Sequence, residues 1–230
     1  MQPARCPTGR APRRWLSALP GLILLAACRA GSAAPEISSP DGHYRLQVDA
    51  KRLTVEDAAG RALKHWPLRD KAGQPVRVQA LAHHTGRQTF VVALADAHEL
   101  WLISHDPAAL PFFNGWVHDY RMGEGLAEPG TLGLQRVLLK QAFSALWVDA
   151  RVPWLLGQAG PPGAPQAVVL HLDIRREIAV LPLPGPLAAA TLRADASGQG
   201  WQLALPGPGG EWLYDARRWR GQWVSAPVGP

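Results

Sequence analysis

A unit of four short strands recurs four times along this chain, and that recurrence limits the fold more than any other feature. In each unit a strand, a polar turn and a second strand lead to a third strand that ends in an acid. Another turn and a fourth strand follow. The acid-ended strands are Arg52–Asp57, Glu99–Asp106, Val168–Asp173 and Glu211–Asp215. The outer strands expected after them are Ala62–Leu68, a proline-broken Leu110–Trp116, Glu177–Leu183 and Gly221–Ser225. Two of the three spacings between the acids are near the roughly 40 to 50 residues of a four-stranded propeller blade. An aspartate suits such a turn, because its carboxylate accepts hydrogen bonds from backbone N–H groups two or three residues on. Past Cys28 no long apolar pattern of helical period occurs, whereas short alternating runs bounded by Gly, Pro, Asp or Asn continue to the end. The chain is therefore read as all-β, an antiparallel β-propeller of about four blades. It would be a minimal ring, or an open half whose free edges need another copy or another protein. A β-sandwich also gives short strands with frequent turns and stands as the structural alternative. The ten tryptophans fit either, since aromatic rings fill pleated, half-buried surfaces.

The N-terminus carries an address. Arg5, Arg10, Arg13 and Arg14 precede an apolar run from Trp15 to Ala27, too short to span a bilayer as a mature helix, and Leu25-Ala26-Ala27-Cys28 closes it in the pattern of a bacterial lipoprotein signal. Residues 1–27 are read as the signal peptide, 28–40 as lipidated Cys28 and a tether, and 41–230 as the propeller domain. An ordinary secretory signal ending near Ala30 or Ala34 is the alternative. Acylation of Cys28 predicts a membrane partner held through lipid. Arg29 does not match an aspartate retention signal, which points to a periplasm-facing protein of the outer membrane rather than the inner. Cleavage also removes four arginines and no acid, so most of the formal charge of +6 belongs to targeting. The folded part has little electrostatic reason to bind nucleic acid. Of the two cysteines, Cys6 leaves with the signal and Cys28 is lipidated, so no disulfide or cysteine metal site is expected.

Two irregular segments interrupt the units. Val117 to Leu134, rich in Gly and charge, reads as an insertion, and insertions in repeat folds often line a binding surface. Gly157 to Pro165 reads as a long hairpin loop. The insertion holds the densest cluster of chemical side chains, His118, Asp119, Tyr120, Arg121 and Glu124, between glycines that let a backbone approach a ligand. The plainer reading is a structured loop in which Asp119 and Arg121 satisfy each other. His83 and His84 are adjacent before the turn Thr85-Gly86-Arg87; on a strand they point to opposite faces, and a solvated hairpin end is expected. His105 and His171 stand one or two residues before a terminal Asp, where a hydrogen bond to carboxylate or backbone within the blade explains them. Arg217, Arg218 and Arg220 interleave with Trp219 and Trp223; a solvated outer strand explains this better than a ligand stack. No His-Glu-x-x-His, Gly-x-Ser-x-Gly or phosphate-binding glycine loop occurs, so nothing supports a hydrolase or nucleotide reading and no catalytic residue is assigned.

Two stretches carry a family resemblance. Glu99-Leu100-Trp101-Leu102-Ile103-Ser104-His105-Asp106-Pro107 with Val117-His118-Asp119-Tyr120-Arg121-Met122-Gly123-Glu124-Gly125, and then Leu172-Asp173-Ile174-Arg175-Arg176-Glu177-Ile178-Ala179-Val180-Leu181-Pro182-Leu183-Pro184-Gly185, resemble the cytochrome d1-type β-propeller family. That family includes the heme d1 domain of periplasmic nitrite reductase and relatives used in making heme d1. Its propellers have about eight blades, so this chain resembles a short or degenerate member. After Leu-Pro-Leu-Pro-Gly, where a histidine near a heme would stand, the chain reads Pro186-Leu187-Ala188-Ala189-Ala190. The resemblance implies an extracytoplasmic accessory or binding protein for a heme or heme d1-like tetrapyrrole in respiratory nitrogen metabolism. In that reading His118 would ligate iron or shuttle a proton, Arg121 would pair with a propionate, and Tyr120 would stack or donate a hydrogen bond. The alternative from another class is a cofactor-free interaction module of the cell envelope, with blade edges for strand addition and tryptophans as anchors for a protein partner or a second copy.

Overall fold

In a computed structural model, which describes residues 35–114 and 127–226, the alternating runs form four four-stranded antiparallel sheets, one per sequence unit. Blade 1 holds β1 (Glu36–Ser38), β2 (Tyr44–Val48), β3 (Arg52–Asp57) and β4 (Ala62–Pro67). Blade 2 holds β5 (Val78–His84), β6 (Thr89–Leu94), β7 (Glu99–Ser104) and β8 (Leu134–Leu138). Blade 3 holds β9 (Ala145–Val148), β10 (Trp154–Ala159), β11 (Gln166–His171) and β12 (Arg176–Pro182). Blade 4 holds β13 (Thr191–Ala194), β14 (Trp201–Gly207), β15 (Gly210–Asp215) and β16 (Arg220–Ser225). Strands pair in chain order within each sheet, and first strands meet from blade to blade: β1 against β5, β5 against β9, and β9 against the short turn Leu187–Ala189 that leads into β13. This is a β-propeller arrangement. Among the described residues no comparable contact joins β13 back to β1, so the blades form an open array.

The core is divided among the seams. Leu46, Leu53 and Val55 of blade 1 meet Phe90, Trp101 and Ile103 of blade 2; Val91, Leu100 and Leu102 of blade 2 meet Phe143, Leu155 and Val168 of blade 3; Leu156, Val169 and Leu181 of blade 3 meet Leu192, Leu203 and Leu205 of blade 4. Strand β6 therefore sends alternate side chains into two different cores, and all six of its residues are buried. That is why Phe90 to Leu94 reads as an unbroken apolar run, as expected of a strand covered on both faces. Each of these fully buried side chains contributes roughly 2 kcal/mol by leaving water.

The outward faces of the two end blades differ. Opposite Leu46 and Val55, blade 1 presents Arg45 and Glu56, paired at 2.7 Å across β2 and β3. Opposite Leu192 and Tyr214, blade 4 presents Arg193, whose guanidinium donates to both oxygens of Glu211 at 2.7 and 2.9 Å. Polar outer faces on terminal units are what a stacked repeat needs in order to stop.

The aspartate turns form as expected in three units. Asp57 accepts from the N–H groups of Ala59 and Arg61 at 3.0 and 2.9 Å, Asp106 from Ala108 at 2.8 Å and Asp215 from Arg217 at 2.8 Å. Asp173 instead receives the guanidinium of Arg87 from blade 2, at 2.6 Å.

Three boundaries move. The outer strand of blade 2 is Leu134–Leu138, not Leu110–Trp116, because Leu134 and Val137 supply apolar side chains to both adjoining cores while Pro111 breaks the donor row of the earlier segment. The earlier segment still reaches the edge of β8: the Asn114 amide donates to the Leu134 carbonyl at 2.7 Å and accepts from the Arg136 N–H at 2.8 Å. Blade 1 begins at Glu36, inside the stretch assigned to the tether, since Ile37 packs on the first seam. Finally, Gly157 belongs to β10 rather than to the hairpin loop, where a side chain would collide with the Phe143 ring, 2.2 Å from an added Cβ.

Candidate functional site

Within every blade the turns after the first and third strands lie at one end of the sheet. Three of the four acid-ended strands thus place a turn-holding aspartate there, and the long β7–β8 connection also leaves from this end. His118, Asp119, Tyr120, Arg121 and Glu124 fall within that connection and lie outside the described residues, as does Cys28. The legs of the connection are described and tied together. Phe112 and Glu128 exchange backbone hydrogen bonds at 3.1 and 2.8 Å, and the Thr131 hydroxyl donates to the Asp106 carbonyl at 2.7 Å.

These legs wall a cleft of about 570 Å³ between blades 2 and 3, within the ~300–1,000 Å³ range of small-molecule sites. Leu102, Leu110, Phe112 and Leu172 are apolar parts of a mixed lining that also holds Thr89, Ser104, Asp106 and Gln135, and Arg87 and Arg151 stand on its two sides. Each arginine is held in place. Arg87 binds Asp173 across the seam, and Arg151 donates from Nε and Nη2 to Asp149 at 2.8 and 2.6 Å. The hydrogen bond from Arg151 holds the Asp149 carboxyl below the usual carboxylate range. Gly86 is required at this lip, because an added Cβ would lie 2.2 Å from the Ala150 carbonyl oxygen of the next blade.

His84 closes the floor and is 1 % exposed. Its Nε2 lies 2.8 Å from the Val152 carbonyl oxygen, so Nε2 carries the proton and donates; Nδ1 is buried without a partner. Burial lowers its pKa and keeps the ring neutral. The expectation of a solvated hairpin end at His83 and His84 is thus overturned. The strand alternation does point the two rings to opposite faces, but each face is covered by a neighbouring blade.

On the other side, His83 meets His105, with Nε2 to Nε2 at 2.8 Å and stacked rings. His105 is 2 % exposed and also stacks on Tyr44 of blade 1, ring centres 4.7 Å apart. His105 was expected to bond a carboxylate or backbone within its blade; a second imidazole of the same blade takes that place, because β5 and β7 flank β6 in one sheet. Burial first, and the neighbouring His105 second, lower the His83 pKa to about 4. His171 behaves as expected, its Nδ1 accepting from the Asp173 N–H at 3.3 Å.

Sequence reasoning missed His84, Arg87 and Arg151. A signal was present: Arg87 and Arg151 each stand in the turn after a first strand, in adjacent units, and so had to face each other across one seam.

No protein-family model matches the chain, and no curated protein matches it. Among solved structures, it is similar to the dihydro-heme d1 dehydrogenase NirN in complex with DHE, with a TM-score of 0.60 and 22% identity over 82% of this chain. The match spans 37% of the NirN chain. The chain is also similar to the beta-propeller domain of Myceliophteria thermophila Cps50 (Swd1), with a TM-score of 0.46 and 10% identity over 87% of this chain and 57% of that one. For the Neurospora crassa Pan2 WD40 domain the TM-score is 0.42, at 11% identity over 80% of this chain and 49% of that one. The first of these likenesses supports the propeller fold.

Proposed function

We propose that this protein is a lipid-anchored, extracytoplasmic binding propeller, held by acylated Cys28 and facing the periplasm, that takes a tetrapyrrole with acidic side groups into the cleft between blades 2 and 3. The reading rests on one observation, a cleft of ligand size with a mixed polar and apolar lining and an arginine on each side, at the end from which the long connection leaves. NirN, in complex with DHE, supplies the choice of ligand class. The cleft residues fit part of such a molecule. Leu102, Leu110, Phe112 and Leu172 suit a flat ring system, and guanidinium groups suit carboxylates, which they bind in a fork. They do not fit iron ligation: His84 offers its Nε2 to Val152, and its Nδ1 is buried. The chain is thus assigned binding, or delivery in respiratory nitrogen metabolism, and not a catalytic step of its own. His118, Asp119, Tyr120, Arg121 and Glu124 remain the proposed contributors from the connection.

A second reading, a cofactor-free envelope module, has one observation in its favour. Strand β16 is exposed along its whole length and shows Trp223 and Val224, an edge open to strand addition.

The deciding experiment is titration of the purified mature protein with hemin and with metal-free protoporphyrin, followed in the Soret region. Saturable binding of both, weakened in Arg87→Gln, is expected. Spectra that stay those of the free pigments would refute the tetrapyrrole reading and leave the interaction module.

A further inference from the structure

A second cleft, of about 400 Å³, opens at the seam of blades 3 and 4 on the same end of the array. Its walls are indoles. Trp154 and Trp219 meet edge to face at 4.9 Å, and Trp201 lies beside them with the Arg151 guanidinium 4.6 Å over its ring. Around them stand hydrogen-bond donors. The His171 Nδ1 already accepts from the Asp173 N–H, which leaves Nε2–H as the donor. Arg217 spends one N–H on the Gln199 carbonyl and, among the described residues, has no carboxylate in ion-pair range. The nearby acids have partners of their own: Asp149 takes Arg151, Asp173 takes Arg87, Asp215 accepts from the Arg217 backbone N–H, and Asp195, beside Gly200, accepts from Ser197 and from the Gln199 N–H.

Trp219 also stands where a tryptophan is not expected. Its φ is 54°, a left-handed conformation that L side chains adopt at a cost; the corresponding turn holds Gly60 at φ 76° in blade 1 and Arg175 at φ 53° in blade 3. Strain of this kind collects at functional positions. Here it holds an indole at the mouth of a cleft that glycine would leave open.

We propose that this cleft binds a small planar aromatic anion, such as an aromatic carboxylate, stacked on Trp219 beside the Arg151-covered Trp201, with its acidic group on Arg217. The basic rim selects against cations, and a saturated ring forfeits the stacking. The site is distinct from the cleft of blades 2 and 3; the two share only the ridge Arg151 to Pro153.

The test is calorimetric titration of the full mature protein with 2-naphthoate, 2-naphthylmethanol and cyclohexanecarboxylate. One saturable site for 2-naphthoate is expected, with the neutral and the saturated analogue each about tenfold weaker. Trp219→Gly fits the backbone without strain, and it should keep the fold while weakening 2-naphthoate about tenfold. Arg217→Gln, at an exposed position, should weaken 2-naphthoate about tenfold and leave 2-naphthylmethanol unchanged. No saturable binding, equal affinity for the acid and the alcohol, or binding lost in Arg87→Gln but kept in both cleft variants would each overturn the proposal. Hemin binding in these variants reports on the other cleft and separates the two readings.

Discussion

Lowering the pH from 7 to 5 should destabilise this fold through its buried histidines before paired aspartates such as Asp57 and Asp149 protonate. His83 illustrates the size of the effect. Its pKa in the folded protein is about 4, against ~6.5 in an unfolded chain. The folded pKa is depressed, so between these values the unfolded chain binds a proton that the folded protein refuses. Stability is then greatest above pH 6.5 and falls as the pH drops toward 4. Integrated from pH 7 to 5, a full shift of this size is worth about 2 kcal/mol, and partial exposure of His83 makes that an upper bound. His84 and His105 add to it in the same direction, since burial lowers both. The paired aspartates, such as Asp57 and Asp149, have lowered pKa values and lose their contribution only further down, as protonation sets in below the unfolded value. Urea unfolding followed by tryptophan fluorescence at pH 7, 6 and 5 measures the slope. His83→Gln can still donate to the His105 Nε2 but cannot titrate, so it should flatten the slope by up to one proton. A slope unchanged in that variant, or a stability constant from pH 7 to 5, would refute the buried neutral pair.

Three further outcomes follow from the packing. Gly157→Ala should cost about 1–3 kcal/mol in chemical denaturation, because its Cβ would press into the Phe143 ring in the second seam. Arg87→Gln should cost at most about 1 kcal/mol of stability, since its pair with Asp173 is largely solvated, while tetrapyrrole affinity falls. The polar outer faces of blades 1 and 4 predict a single chain in light scattering of the detergent-solubilised protein; a dimer that dissociates on replacing Arg193 by Ala would show instead that these faces pair.

The fold was legible because its signals are local. Asp57, Asp106 and Asp215 fix their own turns through the next few backbone N–H groups, so the repeat shows in the sequence without knowledge of any contact. The outer strand of blade 2 was not, since what distinguishes Leu134–Leu138 from Leu110–Asn114 is a partner, β7, and two cores contributed by other blades. The same holds for the histidines. His83 and His84 precede a turn, and a turn usually means water; only the flanking blades bury them. Trp219 was read as outer-strand aromatic packing, and the indole of Trp154 from another blade that gives it a second role lies far away in sequence. Residues acting across a seam are the ones that a linear pattern hides.

The seams also explain why the candidate sites lie where they do. Four blades make three seams, and at the end carrying the aspartate turns each seam ends differently. The first is occupied by the stack of Tyr44, His105 and His83. The second and third are held apart, one by the legs of the long β7–β8 connection and the other by Trp201 and Trp219. Arg151 stands on the ridge between them, tied to Asp149 and laid over Trp201, and it also donates to the Leu192 carbonyl of blade 4. Its side chain therefore links blade 3 to blade 4 while lining both clefts. Replacing Arg151 by Met keeps much of the aliphatic bulk but removes the fork, so Asp149 loses its partner and Trp201 its cover. Affinity should fall about tenfold at each cleft, for hemin and for 2-naphthoate alike, whereas Arg87→Gln and Arg217→Gln each affect one. An Arg151→Met protein that loses only one of the two ligands would mean that the ridge belongs to that cleft alone.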